Sequence, residues 1–333
     1  MIDALGDLTQ SPALYPMALD MQRDALLFLR MSEADYRASS FLDERARITD
    51  RREQWLPFLD VERALATPMA VCPLQFIFHM GHVGSTLLSR LLDEAGGVLS
   101  LREPLPLRAI AEAYDTGLPD MDRRLEVLLR LWERGFAETR TVALKATSAT
   151  ERVAPRLLSL RPEARAVLLG VSAESYLATM FASPNSAGDL NANGPERMHR
   201  LATMGVTVPR PQTLGELAAM SWLAERVTQV RIQSAFGARV LAIDFDAMLG
   251  APEETLQRVL AHFRISHAPA TVMSMAKSAA LSRYSKEQDR PYSAGLRAEL
   301  QAEARKLYAK EIRAALDWLE RIPVGDANGT ALW

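Results

Sequence analysis

The chain has 333 residues and a formal charge of −2, with 48% hydrophobic and 24% charged side chains. That is enough chain to bury about three quarters of its unfolded surface, and the balance excludes a disordered protein, a collagen and a disulfide scaffold. A single cysteine, Cys72, rules out an internal disulfide and fits a reducing compartment, while the near-neutral charge gives no electrostatic footprint for nucleic acid.

No stretch reaches the ~18 apolar residues of a membrane span; the most apolar one, 68–80, is short and interrupted by Pro73. The acidic start Met1-Ile2-Asp3-Ala4-Leu5-Gly6-Asp7 lacks the basic onset and apolar core of a secretion signal. The expectation is a cytoplasmic protein without membrane insertion.

Residues 1–72 read as a helical N-terminal extension packed on the core. Leu26, Leu27, Leu29 and Met31 give the spacing, and Ser32-Glu33-Ala34-Asp35 gives a cap and restart. Residues 45–52 are charge-rich, as a solvated face would be.

The rhythm changes at Gln75. Gln75-Phe76-Ile77-Phe78-His79 is a short apolar run, Met80-Gly81-His82-Val83-Gly84 is a turn, and Ser85-Thr86-Leu87-Leu88-Ser89-Arg90-Leu91-Leu92 has helical spacing. Further strands are expected at 97–101, 141–145, 164–169 and 238–243, separated by helical patterns over 122–134, through Tyr176 and Met180, and from Pro252-Glu253-Glu254 onward. Apolar strands alternating with helices predict an α/β domain over 73–333, with a parallel sheet of about five strands covered on both faces and right-handed crossovers. Residues 182–211 break the pattern with Ser183-Pro184-Asn185-Ser186 and Asn191-Ala192-Asn193-Gly194-Pro195, which predict an irregular insert or lid. The tail, 291–321, reads as one long amphipathic outer helix.

A glycine turn between a first parallel strand and a helix aims backbone N–H groups at one point, where the helix N-terminus adds positive potential. Ligands of such sheets bind at the carboxyl ends of the strands. Ser85 and Thr86 add hydroxyl donors there and His82 a ring donor or charge, so an anion site is expected. The loop lacks the lysine of G-x-x-x-x-G-K-[ST], which argues against magnesium-dependent ATP chemistry.

The segment His79-Met80-Gly81-His82-Val83-Gly84-Ser85-Thr86-Leu87-Leu88 resembles the phosphosulfate-binding loop of PAPS-dependent sulfotransferases, G-x-P-[RK]-S-G-T-[ST]-L-L. Other segments follow in the family's order. Leu101-Arg102-Glu103-Pro104-Leu105 is similar to its "EP" segment, Ala143-Leu144-Lys145-Ala146-Thr147 to "lKtP", and Leu160-Arg161-Pro162-Glu163-Ala164-Arg165 to "fPdAr". Ile243-Asp244-Phe245-Asp246-Ala247-Met248 with Ala251-Pro252-Glu253-Glu254-Thr255-Leu256 is similar to "vrYEdL…dPeetl". The likeness spans residues 74–265 and implies a P-loop-like sulfotransferase fold of divergent bacterial type. PAPS would be the donor, 3′,5′-adenosine bisphosphate the product, and no metal would be needed.

The resemblance implies that Gly81, His82, Val83, Gly84, Ser85 and Thr86 hold the donor and that Glu103 is the general base. Lys145 would stabilise charge on the leaving or transferring group, and His82 would act in catalysis or contact the donor; alternatively His82 is a packed loop histidine. Glu103 alternatively caps a helix or pairs with Arg102 or Arg108, and Lys145 alternatively seeks solvent. His82 stands where the family has arginine or lysine, and Val83 where it has serine. The family's 3′-phosphate pair, an arginine and a serine, maps onto Val171 and Thr179. Arg283 and Lys286 would then substitute for the missing arginine; alternatively the donor has no 3′-phosphate, or activity is lost. His79 reads as structural, and His199, His262 and His267 show no ligand spacing. The acceptor, a small molecule or a peptide, is not legible. A P-loop small-molecule kinase and a non-catalytic nucleotide-binding protein are the competing readings.

Overall fold

A computed structural model describes residues 6, 8–46, 48, 52–183, 186–284 and 292–323. Two sheets organise it. The larger has five parallel strands: β4 (Leu74–His79), β5 (Val98–Arg102), β6 (Thr141–Lys145), β7 (Ala166–Gly170) and β8 (Val240–Asp244), in the order β5-β6-β4-β7-β8. Every residue of β4, β5 and β6 is buried. On β4, Phe76 and Phe78 belong to one apolar cluster and Ile77 to the other, so both faces of the sheet are covered. The α/β parallel sheet expected from the alternating pattern is the fold observed.

The register brings the strand ends to one edge. Arg102 pairs with Lys145, Ile77 with Lys145, His79 with Leu169, and Gly170 with Asp244. Central β4 opens into the glycine turn while its neighbours β6 and β7 lead into diverging connections, the geometry at which such sheets form a crevice.

The N-terminal region differs from the expected helices. Residues 14–57 contribute an antiparallel sheet of β1 (Leu14–Asp20), β2 (Ala25–Arg30) and β3 (Glu53–Pro57). Leu26, Leu27 and Leu29 lie in β2, where buried and half-buried positions largely alternate. Their spacing fits either period, and pairing with β1 and β3 outweighs leucine's weak strand preference. The cap at Ser32 is present: its hydroxyl accepts from the Asp35 N–H, and Asp35 returns the bond to the Ser32 N–H, opening the helix Glu33–Ala38. Buried arginines tie this unit to the α/β region. Arg134 donates to the carbonyls of Leu8, Ser11 and Leu14, and Arg102 to those of Tyr36 and Ser39.

The insert also departs from expectation. Apart from residues 184 and 185, which lie outside the described residues, 182–203 is largely helical: the helix Ser186–Thr203 accommodates Pro195, and only 206–212 remains irregular. Its inner face explains why. Arg197 and Arg200 reach the buried Glu225 at 3.1 and 2.9 Å, while Leu190 and Leu201 join the apolar core. The tail is two helices, Ala294–Leu307 and Ala309–Glu320, broken at Tyr308, whose ring stacks on Phe181. No described helix is long and apolar enough to cross a membrane.

Candidate functional site

The turn after β4 is tightly wound. Gly81, His82 and Gly84 all take positive φ, at 86°, 54° and 69°, so the chain doubles back before the helix Ser85–Asp93 begins. The first intrahelical bond runs from the Leu88 N–H to the Gly84 carbonyl. The amides of Ser85, Thr86 and Leu87 therefore have no carbonyl one turn back to satisfy them. Glycine is required at position 84 for two reasons. The backbone is left-handed, and a Cβ would stand 1.9 Å from the ring of Phe245, which is packed against the turn.

A cavity of about 380 Å³ opens beside this turn. His82, Val83, Gly84, Ser85 and Thr86 line one side, and Glu103, Lys145, Thr179 and Arg283 also border it. These positions are far apart in sequence and were all singled out from it; the fold brings them to one space. Gly81 contributes differently. It does not border the cavity, and its N–H donates to His79 Nδ1 at 3.0 Å, so that amide is spent within the turn. Accepting at Nδ1 leaves Nε2 as the protonated ring nitrogen of a neutral His79, a histidine that does line the cavity. Lys286 lies outside the described residues.

Glu103 and Lys145 meet at the end of β5 and β6. The Lys145 ammonium donates to Glu103 Oε1, with Lys145 only 1% exposed and Glu103 12%. Glu103 Oε2 lies 4.0 Å from Arg45, which is fixed by Asp43 and stacks on Phe41. The backbone reinforces the pair: Glu103 has φ +58°, held there by its N–H bond to the Lys145 carbonyl at 2.7 Å. Left-handed backbone at a non-glycine residue costs about 1–3 kcal/mol and persists where surrounding contacts over-determine it. The partners sequence suggested for Glu103 are engaged elsewhere: Arg102 with Asp93 and Ser89, Arg108 with Glu112. Pro104, not Glu103, occupies the N-cap of the next helix.

Thr179 donates its hydroxyl to the Ser175 carbonyl at 2.8 Å and accepts from Gln301 Nε2 at 2.9 Å. Val171 is buried in an apolar cluster and away from the cavity, its carbonyl receiving the indole N–H of Trp222. The C-terminal segment, from which the sequence singled out Arg283, contributes further lining residues to which sequence reading assigned no role. They are Tyr284, Tyr292, Arg297, Leu300 and Gln301. Arg297 and Gln301 are one helical turn apart on an otherwise charge-rich helix, and nothing in the spacing separates them from solvent-facing neighbours. Phe245 sat inside a quoted segment but carried no assigned role.

A buried polar cluster lies outside this cavity. Glu151, in the short helical turn Ser148–Val153, is fully buried, and burial, then the neighbouring Glu225, push its carboxyl well above the ordinary glutamate range. Glu225 is held ionised, below the usual range, by Arg200 and Arg197. Among the described residues no group of three or more His, Cys, Asp or Glu gathers as a metal site.

No family model matches the chain, and no curated protein matches it. Among solved structures, it is similar to a mouse sulfotransferase, SULT7A1, complexed with PAP, at 10% identity and TM-score 0.43, over 84% of this chain and 95% of that one. It is similar to the sulfotransferase domain of a Synechococcus PCC 7002 olefin synthase, at 15% identity and TM-score 0.39, over 75% and 96%. The sulfotransferase domain from the curacin biosynthetic pathway is a third, at 11% identity and TM-score 0.39, over 75% and 98%.

Proposed function

We propose that the chain is a cytoplasmic sulfotransferase that moves a sulfuryl group from PAPS to a hydroxyl or amine of a small-molecule or peptide acceptor. The observation that carries this reading is the Glu103–Lys145 pair, set in the wall of the same cavity as the amide-rich turn at 82–86. The residues present suit an anionic donor. A helix N-terminus, a turn with no Cβ at Gly84, and the cationic side chains of Lys145, Arg283 and Arg297 border one space. When bound, PAPS supplies an activated sulfuryl group joined to phosphate.

The turn amides and the hydroxyls of Ser85 and Thr86 hold and orient the phosphosulfate end. Glu103 takes the acceptor's proton as the acceptor oxygen or nitrogen bonds to sulfur. Lys145 then donates to the phosphate oxygen that keeps the electron pair of the broken sulfur–oxygen bond, with His82 beside it. Positioning and charge neutralisation carry the rest of the barrier. A general base contributes roughly 10²–10⁴-fold. Glu103→Gln is therefore expected to lower turnover of labelled PAPS at least about hundredfold while 3′,5′-adenosine bisphosphate still raises the melting temperature. Equal loss of both removes Glu103 from the base role.

The burial of Val171, away from the cavity, favours a second reading, a nucleotide-binding protein without turnover. Donor consumption by the wild-type chain across an acceptor panel decides between the two.

A further inference from the structure

A second cavity, of about 650 Å³, shares no lining residue with the one beside the turn. The end of the helix Leu105–Asp115, the segment 152–159 and the helices Ser186–Thr203 and Leu214–Phe236 border it. Its apolar lining comes from both apolar clusters: Val153 and Ile232 belong to one, and Met204 packs against the other. The volume falls in the range of small-molecule sites, about 300–1,000 Å³.

The polar lining is cationic. Arg152, Arg156, Arg200, Arg231 and His199 border the cavity, against two carboxylates, Asp115 and Glu196. Most of these charges are spent. Asp115 pairs with Arg152 at 3.0 Å, and Arg156 with Asp122. Arg200 is only 6% exposed, and a guanidinium so deeply buried needs compensation. Its Nη1 and Nη2 reach Glu225 at 3.0 and 2.9 Å. Its buried Nε makes no hydrogen bond among the described residues, and meets Glu196 Oε1 at 3.1 Å as an ion-pair contact only. Two groups remain. Among the described residues Arg231 donates only to the Met204 carbonyl, and His199 has no partner. They stand on two helices that pack against each other, Leu214–Phe236 and Ser186–Thr203. A guanidinium whose one partner is a backbone carbonyl keeps its charge and most of its donors for an oxyanion.

We propose that this cavity is a second ligand site, for a small organic anion with an aromatic or aliphatic body. Arg231 and His199 hold its acid group, and Val153, Met204 and Ile232 cover its body. A carboxylate, a sulfonate and a sulfate ester share the recognised chemistry, an oxyanion that accepts from an arginine fork. A wholly polar ligand would leave the apolar lining wet, and a neutral one would leave Arg231 unused. The inference does not rest on the donor reading, since the two cavities have no residue in common.

The test is fluorescence titration with 8-anilino-1-naphthalenesulfonate, an aromatic anion, on wild type, Arg231→Gln and Thr203→Trp. Thr203 is an exposed residue on the cavity's border, where an indole takes up ligand space at little cost to the core. A charge-assisted hydrogen bond is worth roughly a ten- to hundredfold change in affinity. Arg231→Gln is therefore expected to weaken the probe at least about tenfold, and Thr203→Trp to abolish its binding, with both variants melting near wild type. Naphthalene-2-sulfonate should displace the probe at least about tenfold better than the neutral naphthalene-2-sulfonamide. Saturating adenosine 3′,5′-bisphosphate should leave the probe bound. No binding by wild type, undiminished binding by either variant, or equal displacement by the sulfonamide overturns the inference. Displacement by the bisphosphate also overturns it, because it puts the probe in the cavity beside the turn, and it leaves the donor reading standing. A bisphosphate that does not bind at all removes the donor reading alone. Should Thr203→Trp fail to fold, Ser159→Trp fills the same cavity from another exposed position, and undiminished probe binding there refutes the assignment.

Discussion

The Glu103–Lys145 pair can be weighed before any substrate is known. Lys145→Met removes an ammonium that is 1% exposed and keeps most of the side-chain volume. It leaves a carboxylate, 12% exposed, whose remaining cationic neighbour is Arg45 at 4.0 Å. Breaking one side of a buried pair costs about 3–5 kcal/mol, because the surviving charge stays desolvated. The partial exposure of Glu103 and the reach of Arg45 place this case at the low end, about 3 kcal/mol. Glu103→Gln takes the carboxylate from the more deeply buried partner, which also lies 5.9 Å from the Phe41 ring, and should likewise be destabilising. The double variant removes both members of the pair. It should be less destabilised than the sum of the two singles by at least about 1 kcal/mol, a coupling typical of residues in direct contact. Urea unfolding of the four proteins, with unchanged slopes, gives the cycle directly. Single variants that each cost little and simply add would refute the argument that the two side chains form one buried unit.

Other outcomes follow from neighbouring residues. Gly84→Ala combines a left-handed backbone, costing about 1–2 kcal/mol, with a methyl group driven into Phe245, about 1–3 kcal/mol more. Its melting temperature should fall, and nucleotide-induced stabilisation should vanish. Glu151 keeps its proton in the folded state after an unfolded chain has lost it, because its folded affinity for protons is raised. Stability should therefore decline as pH rises above the ordinary glutamate range. Glu151→Gln should flatten that slope and be the more stable protein at alkaline pH; an unchanged pH dependence of the urea midpoint contradicts the assignment. Burial raises the Cys72 thiol, so at neutral pH thiolate is scarcer than in the unfolded chain and a disulfide reagent should react more slowly until the chain unfolds. Fast native-state labelling would contradict this.

The large sheet was legible because its signal is local and strong. Runs such as Phe76-Ile77-Phe78 have no solvent-facing alternation, and such strands need helices on both faces. The site side chains at the strand ends followed from the same pattern, since residues leaving parallel strands at one edge must converge. Two kinds of feature were hidden. Leu26, Leu27 and Leu29 carry a pattern compatible with helix and strand, and only pairing with residues 14–20 and 53–57 decides it. The helix Ser186–Thr203 contains Gly194 and Pro195, which read as breakers, yet buried ion pairs to Glu225 hold it together. Arg297 was hidden for a third reason. Its importance comes from the cavity it borders and from Asp246, 51 residues earlier in the chain, and neither has any signature within its own helix.

Everything functional turns on whether the amides of the turn after β4 grip the anionic end of a nucleotide. Hydrogen exchange read by mass spectrometry, with and without adenosine 3′,5′-bisphosphate, measures that grip where it should occur. Peptides covering His82–Leu87 should exchange more slowly in the presence of the nucleotide. Binding accompanied by protection elsewhere, with exchange in those peptides unchanged, would contradict the account.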